Sequence, residues 1–139
     1  MAKFKTKFDS IVKLKKLKVD ECQNEMTQLN NKIFEAQKEM DDIQQQINEF
    51  QYPKDGSFAI MKQSKSLLNA IVSQKNTKQE QINFLNSQKD ILVNNLKNAN
   101  LEYEKMKYLQ AEEIKKYLQE LKQKEVKELD EIALMLYKK

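Results

Sequence analysis

Tyr52-Pro53-Lys54-Asp55-Gly56-Ser57 holds the only proline and the only glycine in 139 residues. Proline removes a backbone donor and clashes with the preceding helical turn, and glycine supplies backbone freedom that a helix interior does not use. With both breakers in one window, a chain that otherwise reads as helix can reverse direction only there. The expected architecture is all-α: a long antiparallel two-helix coiled coil, a helical hairpin whose second helix is the longer. A single unit spans residues 1–139, with helix 1 over about 4–51, the turn at 52–57 and helix 2 over about 58–137.

The first arm carries the stronger pattern. Phe8, Val12, Lys15, Val19, Cys22, Met26, Leu29, Ile33, Ala36, Met40, Ile43, Ile47 and Phe50 follow one another at alternating spacings of four and three, with Lys15 the one polar member. A heptad held this long specifies a partner helix. In the second arm the stripe is rougher, and Lys75, Lys78 and Lys89 fall on it. Lysine stems can pack at a seam while the amines reach water; the sharper alternative is a weak zone that opens for a partner. Asp55 or Ser57 is available to cap this helix.

Folding the arms about the turn sets Ile47 near Met61, Met40 near Leu68, Met26 near Ile82 and Val12 near Leu96. The first arm would then end opposite about Asn100. The remaining helix would continue about 55 Å beyond it at the rise of an α-helix. Ile114, Leu118, Leu121, Leu129, Ile132 and Leu136 keep an apolar stripe along that overhang, with a register change near Glu125 and Val126. An apolar helix face without an intramolecular partner calls for another molecule.

Charged residues make up 33% of the chain, and all 25 basic residues are lysines. Without arginine, sequence-specific reading of nucleic acid is disfavoured. There is no histidine and a single cysteine, Cys22, so neither a zinc site, a His-assisted nucleophile nor an internal disulfide can be built. One glycine excludes a glycine-rich phosphate loop. The expectation is therefore a non-enzyme with no catalytic residue, cofactor or metal, and no nucleic-acid or small-molecule partner. Cys22 sits on the stripe, where a small apolar thiol fits. A lone cysteine, no secretory signal and no membrane-length apolar run suggest a cytoplasmic protein.

Some apolar residues exceed what one seam requires. Near the N-terminus Phe4, Ile11, Leu14 and Leu17 accompany seven lysines within residues 1–18. They suit a basic amphipathic membrane-binding helix, a protein contact, or wider packing. Near the bend Phe34, Ile60, Leu67 and Val72 lie beside the seam, and Tyr52 and Phe58 flank the turn. They either close the tip or anchor a partner.

The start Met1-Ala2-Lys3-Phe4-Lys5-Thr6-Lys7-Phe8, followed by Ile11-Val12-Lys13-Leu14-Lys15, resembles the FliJ family of the bacterial flagellar type III export apparatus. Length, a single turn and a shorter first helix agree across the chain. The resemblance implies a stalk and general chaperone that links the export ATPase ring to the export gate and escorts substrate chaperones. Its partners would be the flagellar export ATPase, the cytoplasmic part of the export-gate membrane protein and substrate-specific export chaperones. It would sit in the cytoplasm, peripherally at the inner membrane of the flagellar base. By this analogy Phe4, Phe8, Ile11, Leu14, Leu129, Ile132 and Leu136 face the ATPase ring, and Tyr52, Phe58, Ile60 and Leu67 face the gate. The stalk protein of a virulence secretion system, a prefoldin-like chaperone and a peripheral-membrane coiled coil remain alternatives.

Overall fold

The computed structural model describes residues 5–54 and 56–137. Two helices, α1 (Asp9–Glu49) and α2 (Phe58–Tyr137), pack against each other, and α2 is the longer, with 80 residues to 41. Both helices contribute to each of two compact units. One joins the N-terminal segment up to Glu21 to the chain from Leu96 onward, and the other is Cys22–Asn95.

The helices form because their interiors contain neither glycine nor proline, and Gln, Lys, Glu and Leu lose little freedom in a helix. Every member of the first-arm stripe, from Phe8 to Phe50, is buried or half-buried. On α2, Leu68, Lys75, Lys78, Ile82, Lys89 and Leu96 are buried or half-buried, whereas Met61, expected on the seam, is exposed. In the Cys22–Asn95 unit the core is Leu29, Ala36, Ile82 and Leu85, with Ile33, Met40 and Leu92 packed against it. Ile82 is only 2% exposed, and Cys22 is buried as a free thiol.

Helix α1 starts later than residue 4, and the reason lies in Thr6 and Asp9. The Phe8 N–H donates to Thr6 Oγ1 at 3.1 Å, and the Thr6 N–H donates to Asp9 Oδ2 at 3.2 Å. The Thr6 hydroxyl also donates to Asp9 Oδ1 at 2.6 Å. This reciprocal capping box satisfies donors that the first turn leaves open. The other end stops at Glu49 rather than 51, where the Phe50 N–H bonds Ile47 O at 3.3 Å and Pro53 bars continuation. Of the two candidate caps for α2, Ser57 serves: its carbonyl accepts from Met61 N–H at 3.2 Å and its Oγ from Ile60 N–H at 3.4 Å. Asp55 lies outside the described residues.

The pairing register differs from the expected one by nearly three helical turns. In the Cys22–Asn95 unit, Lys78 Nζ meets Glu39 Oε2, where the expected alignment sets Met40 beside Leu68. In the other unit Gln110 Nε2 donates to Asp9 Oδ1 at 2.7 Å and Lys15 meets Glu102 at 3.9 Å, where the expected alignment sets Val12 beside Leu96. A slip of about ten residues is close to three turns, which returns each helix to nearly the same face, so the seam residues survive it. The connection explains the slip. From the Glu39–Lys78 level, α1 continues ten residues to Glu49 and α2 reaches back twenty to Phe58. Those are rises of about 15 Å and about 30 Å. The chain between Glu49 and Phe58 is long enough to span that difference of about 15 Å, since eight residues reach up to about 28 Å. The expected alignment, which folds the arms about Lys54, is therefore not the one the two helices take.

Candidate functional site

Among the described residues, nothing assembles a reactive centre. No group of three or more acidic, histidine or cysteine side chains could hold a metal ion. No helix is long and apolar enough to cross a membrane. What the chain offers is surface, in three places.

The first is the far end of α2. Because the register is shifted, Asp9 at the start of α1 lies beside Gln110, and the last half-buried residue of α2 is Glu113, where the expected alignment ended near Asn100. Every residue from Ile114 to Tyr137 is exposed. That is 24 residues, about 36 Å of helix. Ile114, Leu118, Leu121, Leu129, Ile132 and Leu136 all stand in solvent, Leu129 at 65% exposure. The overhang is shorter than the sequence suggested, and every residue of it is exposed.

The second is the start of α1. Leu14 is 64% exposed, and Ile11 and Leu17 are exposed as well. Phe8 behaves differently: it is half-buried on the seam and lines an open groove of about 700 Å³ with Lys7, Leu109, Glu112, Glu113, Lys116 and Tyr117. The amine of Lys7 lies 5.3 Å from the centre of the Phe8 ring, a cation–π contact. One oxygen of Glu113 is shielded from solvent with no hydrogen-bond partner among the described residues. Phe4 lies outside the described residues. The groove reaches along α2 to Glu120, whereas Leu129 is nine residues further. The structure therefore does not gather Phe8, Ile11 and Leu14 with Leu129, Ile132 and Leu136 into one patch.

Electrostatics hold this start in place. Two side-chain hydrogen bonds, from Thr6 first and then Gln110, hold the Asp9 carboxyl below the ordinary aspartate range. Lys16 and Lys107 approach the Tyr103 ring at 5.6 and 5.1 Å. The Thr6–Asp9 spacing is a capping-box signature that the sequence displays. The Gln110 contact emerges only with the register.

The third place is the tip. Phe58 is 84% exposed, and Tyr52, Ile60 and Leu67 are exposed too. The Tyr52 ring meets Phe50 edge to face, 5.3 Å between centres. A side chain added at Gly56 would come within 3.2 Å of the Ile60 side chain, so glycine here allows close approach; its φ is not positive. Further exposed apolar residues, Phe84, Ile91 and Leu101, stand off the seam of α2. Their signal in the sequence is that they are apolar yet out of phase with the heptad.

Of the seam lysines, Lys78 bonds Glu39 across the pair and also Gln81 at 3.0 Å, and Lys75 and Lys89 are half-buried. At Lys78 the seam is bridged by an ion pair.

The family model for the flagellar FliJ protein matches residues 4–139, nearly the whole chain. The chain belongs to the FliJ family. No curated protein and no solved structure matches it. FliJ proteins are non-catalytic components of flagellar export, which agrees with a molecule whose chemistry lies in its surfaces.

Proposed function

We propose that this FliJ-family chain is the stalk of the flagellar export apparatus, linking the export ATPase ring to the export gate and escorting substrate-specific chaperones. The observation that carries the reading is the uncovered apolar stripe from Ile114 to Leu136. A helix buries such a face against a partner or leaves it exposed at a cost of roughly 25 cal/mol per Å² of apolar surface. In this reading Leu129, Ile132 and Leu136 engage the ATPase ring, with Phe4, Phe8, Ile11 and Leu14 as a second contact. Tyr52, Phe58, Ile60 and Leu67 engage the cytoplasmic part of the gate, at the inner membrane of the flagellar base. Exposed apolar groups near both the start and the end of α2 favour a linker with two contacts over a single-site binder.

Capture of purified export ATPase and of the gate's cytoplasmic part on the immobilised chain tests this. Binding to both is expected, with Phe58→Ala and Leu67→Ala weakening only the gate. Binding to neither, together with normal motility of a deletion strain, refutes it.

A further inference from the structure

The free end of α2 carries a stripe whose spacing suits pairing with a copy of itself. Ile114, Leu118, Leu121, Glu125, Leu129, Ile132 and Leu136 are spaced four, three, four, four, three, four. The series reads the same from either end, and its centre is Glu125. Ile114, Glu125 and Leu136 stand eleven residues apart, a repeat of about 3.67 residues per turn, so the stripe runs nearly straight along the helix. All seven side chains are exposed.

We propose that residues 114–136 pair with the same segment of a second copy of this chain, antiparallel, about a two-fold axis at Glu125. In that arrangement Ile114 packs on the partner's Leu136, Leu118 on the partner's Ile132, and Leu121 on the partner's Leu129. An isologous interface requires such self-complementarity. Charge agrees with the geometry. Antiparallel pairing puts like flanks of the two helices side by side, so Lys124 comes beside the partner's Glu128, and the pair occurs twice. At the axis the two Glu125 carboxylates meet, with Lys122 of each copy one turn away to offset their repulsion. A parallel pair would instead set each residue of the stripe against itself, with no such exchange of Lys for Glu.

The interface is one helix wide and short, so association is concentration-dependent. It hides Leu129, Ile132 and Leu136, so a self-associated chain has those residues closed to any other partner.

Sedimentation equilibrium of the full chain, alone, over a wide concentration range tests the proposal. A reversible monomer–dimer equilibrium is expected. Leu121→Glu, at a position already exposed, should leave helicity unchanged and weaken dimerisation by about tenfold or more. Lys124→Glu and Glu128→Lys should each weaken it about fivefold, and the double swap should restore it. In a Cys22→Ala background, Glu125→Cys should form a disulfide dimer. Ile114→Cys should not, because the two copies of residue 114 lie about 33 Å apart. A monomer at every concentration overturns the proposal, as does a dimer indifferent to Leu121→Glu. Cross-linking at both cysteine positions shows parallel pairing and overturns it equally.

Discussion

Thr6 and Asp9 decide where α1 begins. The box they form, with Gln110 bound to the same Asp9 carboxylate, ties the first turn both to itself and to α2. Thr6→Ala should cost about 1 kcal/mol and expose the amides of the first turn to hydrogen exchange. Asp9 supplies a pH dependence. Its folded pKa is lowered, so its contribution is complete above the unfolded value and is lost as pH falls through the folded one. Acid titration of unfolding should therefore show stability declining below the ordinary aspartate range, and Asp9→Asn should flatten that limb. At the tip, Gly56→Ala requires Ile60 to move by a few tenths of an ångström. A loss of under about 1 kcal/mol in chemical denaturation is expected, because the φ there is not positive.

The elements are the most legible part of the chain. Every member of the heptad from Phe8 to Phe50 is buried or half-buried, and α2 begins at Phe58, directly after the capping Ser57. The register is not legible, because periodicity fixes a face and not an axial position. A slip of nearly three turns leaves Leu29, Ala36, Ile82 and Leu85 on the same seam with different neighbours. What distinguishes such slips is the reach of the connection and polar contacts such as Glu39–Lys78 and Asp9–Gln110, which a heptad does not specify. In the Cys22→Ala background, Glu39→Cys with Lys78→Cys should be joined by a short thiol cross-linker within one chain. Met40→Cys with Leu68→Cys should not, since those positions lie about 15 Å apart along the axis. Packing at the centre of this element is tight: Ile82→Ala should cost about 2–3 kcal/mol in thermal or chemical unfolding, since the side chain is 2% exposed.

At the scale of the whole molecule, the register sets how much of α2 is left for others. The expected alignment freed the helix from about Asn100. The observed one frees it from Ile114 and lines the Phe8 groove with Leu109 and Glu112. Surface stripes are readable in the sequence as apolar residues in surplus, but whether Phe8 serves the seam or a partner depends on how far α1 reaches. Membership of the FliJ family gives these surfaces a setting in flagellar export. The most direct test is capture of the export ATPase by full-length chain carrying Leu129→Asp, Ile132→Asp and Leu136→Asp together. All three residues are exposed, so circular dichroism and the unfolding midpoint should match the unmodified protein while ATPase capture is lost. Undiminished capture by a fully helical variant would contradict the assignment of the free end of α2 as the ATPase-binding surface.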